Sequence, residues 1–427
     1  MSDTVRQPPR GQFQRFEGVH ILDGVRTPLV DYQGALADAN PIDLGIKAAR
    51  SALARAAVDP AEVDSVITGN MAPGGFDPFY VARHIGLYSG VPLEVPALNA
   101  QRICGTGFEL FRQAGEQMTV GLARLALVVG TESMTRNPIA AFEHRGGFRL
   151  GAGVAFRDFL WEALSDPAVG INMIQTAENL ARQYEIRRED VDAFAAASFA
   201  KAVAAQESGW LAGEIVPVVS EAFEQPGFRP RGIRLSGKAT VADRDTHPRP
   251  TSAAVLAGLR TVFPDGVQTG GNSSALTDGA AAAVVANDEA AQAWRAATGR
   301  MPLARLAAAA VVGVAPLVMG IGPAPAIRRL LQGTGLALED IARFEINEAQ
   351  GAQTLAVARE LDLDLARLNV KGGAIALGHP LAATGVRCTL AVARQLREVG
   401  ARWGVASACV GGGQGIALLV ENPEHRE

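Results

Sequence analysis

The same pattern occurs twice in the chain, at one fixed offset of 278 residues. In each copy a helical run ends in a short acidic turn that leads into a buried strand. Three pairs of segments match at this offset without a gap: residues 57–66 with 335–344, 106–107 with 384–385, and 123–124 with 401–402. Three matches in one register indicate two similar halves related by duplication. Because strands alternate with helical runs in each half, we expect an α/β fold with mostly parallel sheets that helices cover on both faces.

The composition describes a chain with a large buried core. Its 427 residues are 48% hydrophobic and include 47 glycines, which is enough for two or three packed units. The net charge is −4, and basic residues form no long run, so neither nucleic acid nor a membrane surface is expected as a partner.

The three cysteines, Cys104, Cys388 and Cys409, are odd in number and show no C-x-x-C spacing. Neither a disulfide framework nor a zinc site is therefore indicated, and we expect no metal. Reduced thiols fit a cytoplasmic protein, which is the localisation that we expect.

Residues 306–327 contain no charged residue and are long enough to cross a bilayer. Glycines and prolines between 313 and 323 would break a spanning helix, so we expect a buried strand at 306–312, a loop, and a helix from about Pro325. The polar stretch at 1–18 lacks the apolar region of a secretory signal, and we expect a flexible tail there.

Between the two halves the pattern changes, and helical stretches at 176–184 and 188–207 alternate with segments rich in glycine and arginine. We expect an inserted loop domain here, since insertions on a rigid scaffold commonly carry substrate contacts. The predicted division is a tail at 1–18, an N-terminal half at 19–137 and 261–289, an inserted loop domain at 138–260, and a C-terminal half at 290–427.

Cys104 and His379 precede helical runs at related places in the two halves. Cys104 follows a short apolar segment at 95–98, so its sulfur is expected near a helix N-terminus, where the macrodipole and free N–H groups favour thiolate over thiol. His379 stands between Gly378 and Pro380, ahead of the counterpart helix. If the halves pack about a pseudo-twofold axis, both side chains would converge on one cleft, and a cysteine beside a histidine base is an activated nucleophile.

Two further segments would border this cleft. Asn347 follows a strand at 343–346, and Cys409 lies in a glycine-dense loop at 407–415 whose N–H groups could stabilise an oxyanion. Taken singly, each residue also has a structural interpretation. The cysteines could be small buried hydrophobes, Asn347 a turn former and His379 a structural histidine.

Together and in this order, the four segments resemble the thiolase family of acyl-CoA acyltransferases. The matching motifs are C-x-x-G at 104–107, N-E-A at 347–349, G-G-A-I-A-L-G-H-P at 372–380 and C-x-G-G-G-x-G at 409–415. Weaker matches extend the resemblance over nearly the whole chain, at 23–28, 176–179, 271–274, 278–279 and 319–323. The resemblance implies duplicated α/β halves with mixed sheets packed in layers about a pseudo-twofold axis, plus an inserted loop domain.

The resemblance also implies a role for each matching residue. Cys104 would be the nucleophile that takes an acyl group from coenzyme A, and His379 the base that accepts its proton. Cys409 would be the second acid/base, which deprotonates the α-carbon of a second acyl-CoA or, in thiolysis, activates the incoming thiol. Asn347 would hold a water that stabilises the thioester enolate together with His379. The N–H groups of Cys104 and Gly411 would form a second oxyanion hole.

Coenzyme A and acyl-CoA are the implied substrates, with no tightly bound cofactor, and the loop domain would carry coenzyme A contacts. Four positions are expected near the pantetheine or the acyl group: Ser274, Met173, Ala349 and Gln350. Arg249 belongs to an arginine-rich stretch at 229–249 that suits phosphates, although a solvated loop explains this stretch equally well.

Departures from the family pattern leave the acyl chain open. Gln350 stands where many relatives have phenylalanine, which exchanges an apolar wall for an amide. Asn172 stands where short-chain relatives have histidine, and Ile174 replaces a glycine.

The intact catalytic set favours an acetyl-CoA C-acyltransferase that condenses acyl-CoA with acetyl-CoA or cleaves 3-ketoacyl-CoA. A ketoacyl-synthase-type condensing enzyme would lack Cys409. A non-catalytic thiolase-like protein that binds coenzyme A or lipid would lack at least one catalytic residue. Relatives are usually homodimers or homotetramers, so we expect one of these assemblies.

Overall fold

The computed structural model describes residues 10–425, in which strands and helices alternate. The first part of the chain forms β1 Gly11–Arg15, β2 Val19–Arg26, β3 Val30–Asp31, α1 Pro41–Ala56, β4 Ser65–Gly69, α2 Val81–Tyr88, β5 Ala97–Asn99, α3 Thr106–Thr119 and β6 Leu125–Ser133. The middle part forms β7 Ile139–Ala140, β8 Arg157–Asp158, α4 Phe159–Ala163, β9 Ser165–Asp166, β10 Ile171–Asn172, α5 Met173–Gln183, α6 Arg188–Glu207, β11 Glu221–Phe223, β12 Arg231–Ile233 and α7 Ala253–Ala257.

The last part returns to the alternation of long strands and helices. Its elements are β13 Thr277–Asn287, α8 Asp288–Thr298, β14 Ala304–Gly313, α9 Pro323–Thr334, β15 Ile341–Ile346, α10 Gly351–Leu361, α11 Ala374–Leu377, α12 Leu381–Val399, β16 Trp403–Val410 and β17 Gln414–Glu421. Short 3-10 helices lie at Pro60–Glu62, Pro78–Tyr80, Ile103–Gly105, Met134–Arg136, Leu211–Gly213, Pro316–Ile321 and Leu365–Arg367.

Apart from the edge strand β5, the two halves have the same strand order. The N-terminal half runs β5-β4-β6-β13-β2 and the C-terminal half β15-β16-β17-β14. The segments that match at the offset of 278 residues occupy equivalent places, since β4 corresponds to β15, α3 to most of α12, and β6 to β16. A short antiparallel contact between β2 and β14 joins the halves into one 11-stranded sheet.

The expectation of mostly parallel sheets is wrong. Only the ladders β4–β5, β4–β6 and β15–β16 are parallel among those of the described residues in this sheet. β16 and β17 are joined by a tight turn, and such a connection allows only antiparallel pairing. β13 likewise pairs antiparallel with both β6 and β2, so the sheet is mixed, as the family resemblance implied.

The boundary of the expected tail also needs correction. Residues 11–15 form β1, which pairs antiparallel with residues 308–312 of β14. Phe13 of this strand lies close to Gly333 of α9, so the strand is held by packing as well as by its ladder. Residues 1–9 of the predicted tail lie outside the described residues.

The interpretation of residues 306–327 is confirmed, because the segment forms β14, a 3-10 helix and the start of α9. Within residues 10–425, no helix is both long enough and apolar enough to cross a membrane. The proposed boundaries of the loop domain and of the two halves stay a prediction.

Helices cover the sheet in layers. α1, α2 and α8 pack on the outer face of the N-terminal half, and α9 and α10 on the outer face of the C-terminal half. α3 and α12 lie between the two halves, where one apolar core joins them to strands of both. The central pair of helices is therefore shared by the halves.

α3 and α12 touch through their backbones at two glycines that are equivalent in the two halves. An ideal Cβ on Gly385 would lie 2.6 Å from the carbonyl carbon of Gly107, and one on Gly107 would lie 2.6 Å from the carbonyl oxygen of Ala382. Only residues without a side chain permit this approach.

We predict that Gly385→Ala destabilises the fold by about 1–3 kcal/mol, because the added methyl group meets backbone that cannot move aside. Alanine is the better helix former by about 1 kcal/mol, so a loss of stability would come from the clash alone. Thermal unfolding measures the effect. Gly146→Ala is the control, since no heavy atom lies within 4 Å of the added Cβ. A Gly385→Ala protein as stable as this control would contradict the prediction.

Candidate active site

Cys104 lies in a tight turn that leads into α3. The chain leaves β5, forms the 3-10 helix Ile103–Gly105 and enters α3 at Thr106. Ile103 has a φ of 46°, which a β-branched residue rarely adopts, so the turn carries backbone strain directly before Cys104. The hydroxyl of Thr106 donates to the Ile103 carbonyl at 2.7 Å and accepts from the N–H of Arg102 at 2.9 Å, which holds the turn closed.

Burial opposes the expected preference of Cys104 for the thiolate. The side chain is 6% exposed and belongs to an apolar cluster with Met134 and Leu381. Burial raises the pKa of the Cys104 thiol to about 11, although its own N–H and that of Gly411 act in the opposite direction. The loss of water outweighs the favourable N–H groups, and Cys104 is a thiol at neutral pH.

Both ring nitrogens of His379 have a defined partner. The hydroxyl of Thr384 donates to the Pro380 carbonyl at 3.0 Å, so it accepts from Nδ1–H of His379 at 2.7 Å. This network assigns the ring proton to Nδ1 and leaves a lone pair on Nε2. Nε2 accepts from Nδ2 of Asn347 at 3.2 Å, so Asn347 must release this lone pair before the imidazole can act as a base.

His379 is neutral at physiological pH. Burial lowers its pKa to about 3, and the positive charge of Arg387 acts in the same direction. Arg387 is itself buried and donates to Glu345 at 2.8 Å, so its charge is fixed in place. The resting site combines a neutral thiol with a neutral imidazole.

The expected loop at 407–415 is shorter than predicted: Cys409 is the next-to-last residue of β16 and pairs with Gly415, and Gly411 lies in the turn between β16 and β17. Cys409 is fully buried and packs with Met319, Ala349 and Met173. Burial raises the pKa of Cys409, and the neighbouring Cys104 raises it further. The second thiol is therefore also protonated at rest.

A second glycine contact fixes this turn. An ideal Cβ on Gly415 would lie 2.8 Å from Cα of Gly322, and one on Gly322 would lie 2.9 Å from Cα of Gly415. Gly322 directly follows the 3-10 helix Pro316–Ile321, which carries Met319. Because Met319 packs with Cys409, the contact between Gly322 and Gly415 fixes the position of Met319 relative to the second thiol.

Four of the five positions expected near coenzyme A or the acyl group border the cluster. The N–H of Ser274 donates to the Ala349 carbonyl at 3.1 Å. Gln350, which is 8% exposed, pairs with Ser273 in an isolated bridge. Met173 packs against Cys409.

Arg249 makes its contacts elsewhere. Its guanidinium donates to the His247 carbonyl at 3.1 Å and lies 4.7 Å from the centre of the Phe199 ring. Both partners belong to the predicted loop domain, where coenzyme A contacts are expected, and the role of Arg249 in phosphate binding stays a prediction. Asn172 also has a local role, since its Oδ1 accepts from the N–H of Gln175 at 2.9 Å and caps α5.

Two residues that shape the site were not identified from the sequence. Thr384, which sets the His379 tautomer, lies in the first turn of α12, and a hydroxyl five residues after a helix-start histidine is a usable signal. Glu132 lies near Cys104 at the end of β6. Its partners come from distant parts of the chain, so no local pattern indicates its place.

Comparisons with known proteins agree with this geometry. The family models for the thiolase N-terminal and C-terminal domains match residues 19–289 and 300–422. A mitochondrial 3-ketoacyl-CoA thiolase of Bos taurus is 41% identical over 95% of this chain and 98% of its own length. A beta-ketoadipyl-CoA thiolase of Acinetobacter baylyi is 38% identical over 94% of this chain and 98% of its own length.

A solved structure shows the same fold. The crystal structure of human mitochondrial 3-ketoacyl-CoA thiolase in complex with CoA superimposes with a TM-score of 0.88 at 40% identity, and the match covers 95% of this chain and 98% of that one. The expected duplicated α/β fold is thereby confirmed. Matches to both domains, at this identity and over nearly the full length, place the chain in the thiolase family of acyltransferases.

Proposed function

We propose that the chain is an acetyl-CoA C-acyltransferase that cleaves 3-ketoacyl-CoA with coenzyme A, or runs the reverse condensation, through an acyl thioester on Cys104. The proposal is supported by the proximity of the two thiols, since Cys104 acts electrostatically on Cys409, and by the place of the neutral His379 directly before the helix start that borders Cys104. Leu381, two residues after His379, packs against Cys104. The N–H of Gly411, two residues after Cys409, faces the Cys104 sulfur.

In the first half of thiolysis, Nε2 of His379 accepts the Cys104 proton while the sulfur attacks the C3 carbonyl of the substrate. The N–H groups of Cys104 and Gly411 stabilise the resulting oxyanion. The bond between C2 and C3 then breaks, and the enolate, whose oxygen Asn347 and His379 stabilise through a water, takes the proton of Cys409. Acetyl-CoA leaves, with an acyl group on Cys104 and a thiolate at Cys409.

In the second half, coenzyme A gives its thiol proton to the Cys409 thiolate and attacks the acyl thioester. The Cys104 sulfur departs and takes back the proton that His379 holds, which restores the neutral resting site. The reverse sequence is the Claisen condensation. The raised pKa of Cys409 suits this direction, because its thiolate is then a strong enough base for a weakly acidic thioester α-carbon.

We further propose a cytoplasmic homodimer or homotetramer. Three free buried cysteines fit a reducing compartment. Large exposed apolar side chains, among them Phe76, Phe79, Phe142 and Phe148, are surface that a second copy would cover. Light scattering measures the assembly, and a monomer would refute it. Cell fractionation tests the compartment, and recovery with mitochondria, where the names of the bovine and human relatives place those proteins, would refute a cytoplasmic site.

Intact-mass analysis after mixing with acetyl-CoA tests the nucleophile. We expect one acetyl adduct on the wild type and none on Cys104→Ala, because no other residue is proposed to carry the acyl group. Cys409→Ala should still form the adduct, while condensation and thiolysis fall by about 10²–10⁴-fold with the loss of the acid/base.

Cys388→Ala is the matched control for these variants, since Cys388 is an equally buried thiol on α12 outside the cluster. It should keep both the adduct and turnover. A wild type that is folded and binds coenzyme A but forms no adduct would overturn the proposed reaction, and full turnover in Cys409→Ala would overturn the role of Cys409.

The protonation state of His379 is a separate prediction. Because burial lowers its pKa to about 3, the ring should remain neutral, with the proton on Nδ1, as the pH falls from 7 to 5. Nitrogen-15 NMR of the six histidines measures tautomer and charge, and His379→Asn identifies the resonance by its loss. An imidazolium signal for His379 at pH 6 would contradict the assignment of a neutral base.

Gln350→Phe should shift the substrate preference toward longer apolar acyl chains. The phenyl ring would replace an amide beside Ala349, and apolar surface that meets an acyl chain contributes about 0.8 kcal/mol for each buried methylene. Thiolysis rates across a series of 3-ketoacyl-CoA chain lengths measure the preference. The series includes beta-ketoadipyl-CoA, the dicarboxylic compound in the name of the Acinetobacter baylyi relative. An unchanged profile would show that Gln350 does not line the acyl pocket.

A further inference from the structure

Glu132 is a carboxylate that the proposed reaction does not use, although it lies beside the nucleophile. It is the next-to-last residue of β6 and is fully buried. Oε1 accepts from Nδ2 of Asn70 at 3.0 Å and from the N–H of Ala72 at 3.1 Å. Oε2 accepts from the N–H of Met71 and from that of Ala382, both at 3.1 Å. Each carboxyl oxygen is thus bound by two donors.

These four donors require the ionised form of Glu132. An N–H group cannot accept a hydrogen bond, so a proton on either oxygen would point at a donor. Burial raises the pKa of Glu132 to about 7, the three backbone N–H groups oppose this effect, and Asp278 on β13 adds to the rise. Burial and Asp278 favour the neutral carboxyl, whereas the hydrogen-bond donors favour the carboxylate. We assign the ionised form to Glu132, because all four of its hydrogen-bonding partners are donors.

The carboxylate joins two walls of the Cys104 pocket. Leu381 belongs to the same apolar cluster as Cys104, and Met71 packs against this cluster. Met71 and Ala382, the residue after Leu381, donate to the same oxygen of Glu132. One atom therefore sets the separation of the two walls. Since Ala382 lies only three residues after His379, this atom also helps to fix the base relative to the nucleophile.

We propose that Glu132 is a positioning residue of acyl transfer: it clamps the wall of the nucleophile pocket to the helix that follows the base, and its buried negative charge adds to the burial that keeps Cys104 a thiol until His379 takes the proton. The charge acts by repulsion, because an anion beside a thiol disfavours the thiolate. The titratable groups that face Glu132 are Cys104 and Asp278. The proposal rests on Cys104 as the nucleophile.

The test is the pH dependence of Cys104 alkylation by iodoacetamide, followed by intact mass with peptide mapping of the adduct, alongside thiolysis kinetics. Glu132→Gln removes the charge, and the alkylation midpoint should fall by about one pH unit. Glu132→Asp keeps the charge but is one methylene shorter and loses the clamp. Its midpoint should stay at the wild-type value while kcat falls by up to about 10²-fold, with a smaller change in KM.

Glu178→Gln is the matched control. Glu178 on α5 is a buried carboxylate that accepts from the N–H groups of Val267 and Gln268, at 3.0 and 2.8 Å. Its loss should lower the unfolding temperature and leave the alkylation midpoint of Cys104 unchanged. A fall of the midpoint in both variants would mean that general loosening, and not the charge of Glu132, exposes the thiol.

Two results would overturn the proposal directly. One is a Glu132→Gln midpoint equal to or above that of the wild type. The other is a Glu132→Asp enzyme with wild-type kcat. If Glu132→Gln does not fold, the Glu132→Asp kinetics still test the clamp, and wild-type kcat in that variant overturns the proposal. Failure to form an acetyl adduct would instead refute the proposed reaction, so the two failures are distinguishable.

Discussion

The backbone contact between α3 and α12 at Gly107 and Gly385 is the constraint on which the rest of the site depends. Helices separated by side chains normally lie 8–10 Å apart, whereas two facing glycines let the backbones meet. Each helix begins two residues after a candidate catalytic side chain, Cys104 in one half and His379 in the other. Contact between the helices therefore brings together residues that are remote in sequence. A duplicated fold supplies the equivalent position in both halves, and glycine at both makes the approach possible.

Burial then determines the chemistry of what the helices bring together. A thiol and an imidazole in water would each be close to their titration range at neutral pH, but removal of solvent moves the two pKa values apart. The pair is neutral at rest, and charge arises only when the proton moves during the reaction. The backbone N–H groups of Cys104 and Gly411 lie at the sulfur, where they can stabilise this charge. Such an arrangement protects a buried nucleophile from ionising without its substrate.

The duplication, the order of the motifs and the catalytic candidates could be predicted from the sequence, because each depends on local residue types or on a fixed offset. The pairing direction of the strands could not be predicted. β13 lies between β2 and β6 in the sheet, but in the chain a long insertion separates it from β6. For the pKa of the Cys104 thiol, the sequence indicated a decrease, whereas burial raises it. A helix N-terminus is visible in sequence, whereas the depth of burial that opposes it depends on Met134 and Leu381, which arrive from other parts of the chain. Glu132 was missed for the same reason.

The glycine contact between Gly322 and Gly415 has a consequence for how the family can diversify. It joins the 3-10 helix that carries Met319 to the strand β17 that pairs with Cys409, so a change in the length of either segment would displace the second thiol. Met173 and Gln350 stand at the starts of two other helices, outside this glycine contact. Substitutions at these two helix starts can therefore reshape the surroundings of Cys409 without moving the backbone that holds it. Asn172, Ile174 and Gln350, the three departures from the family pattern, all lie at these helix starts.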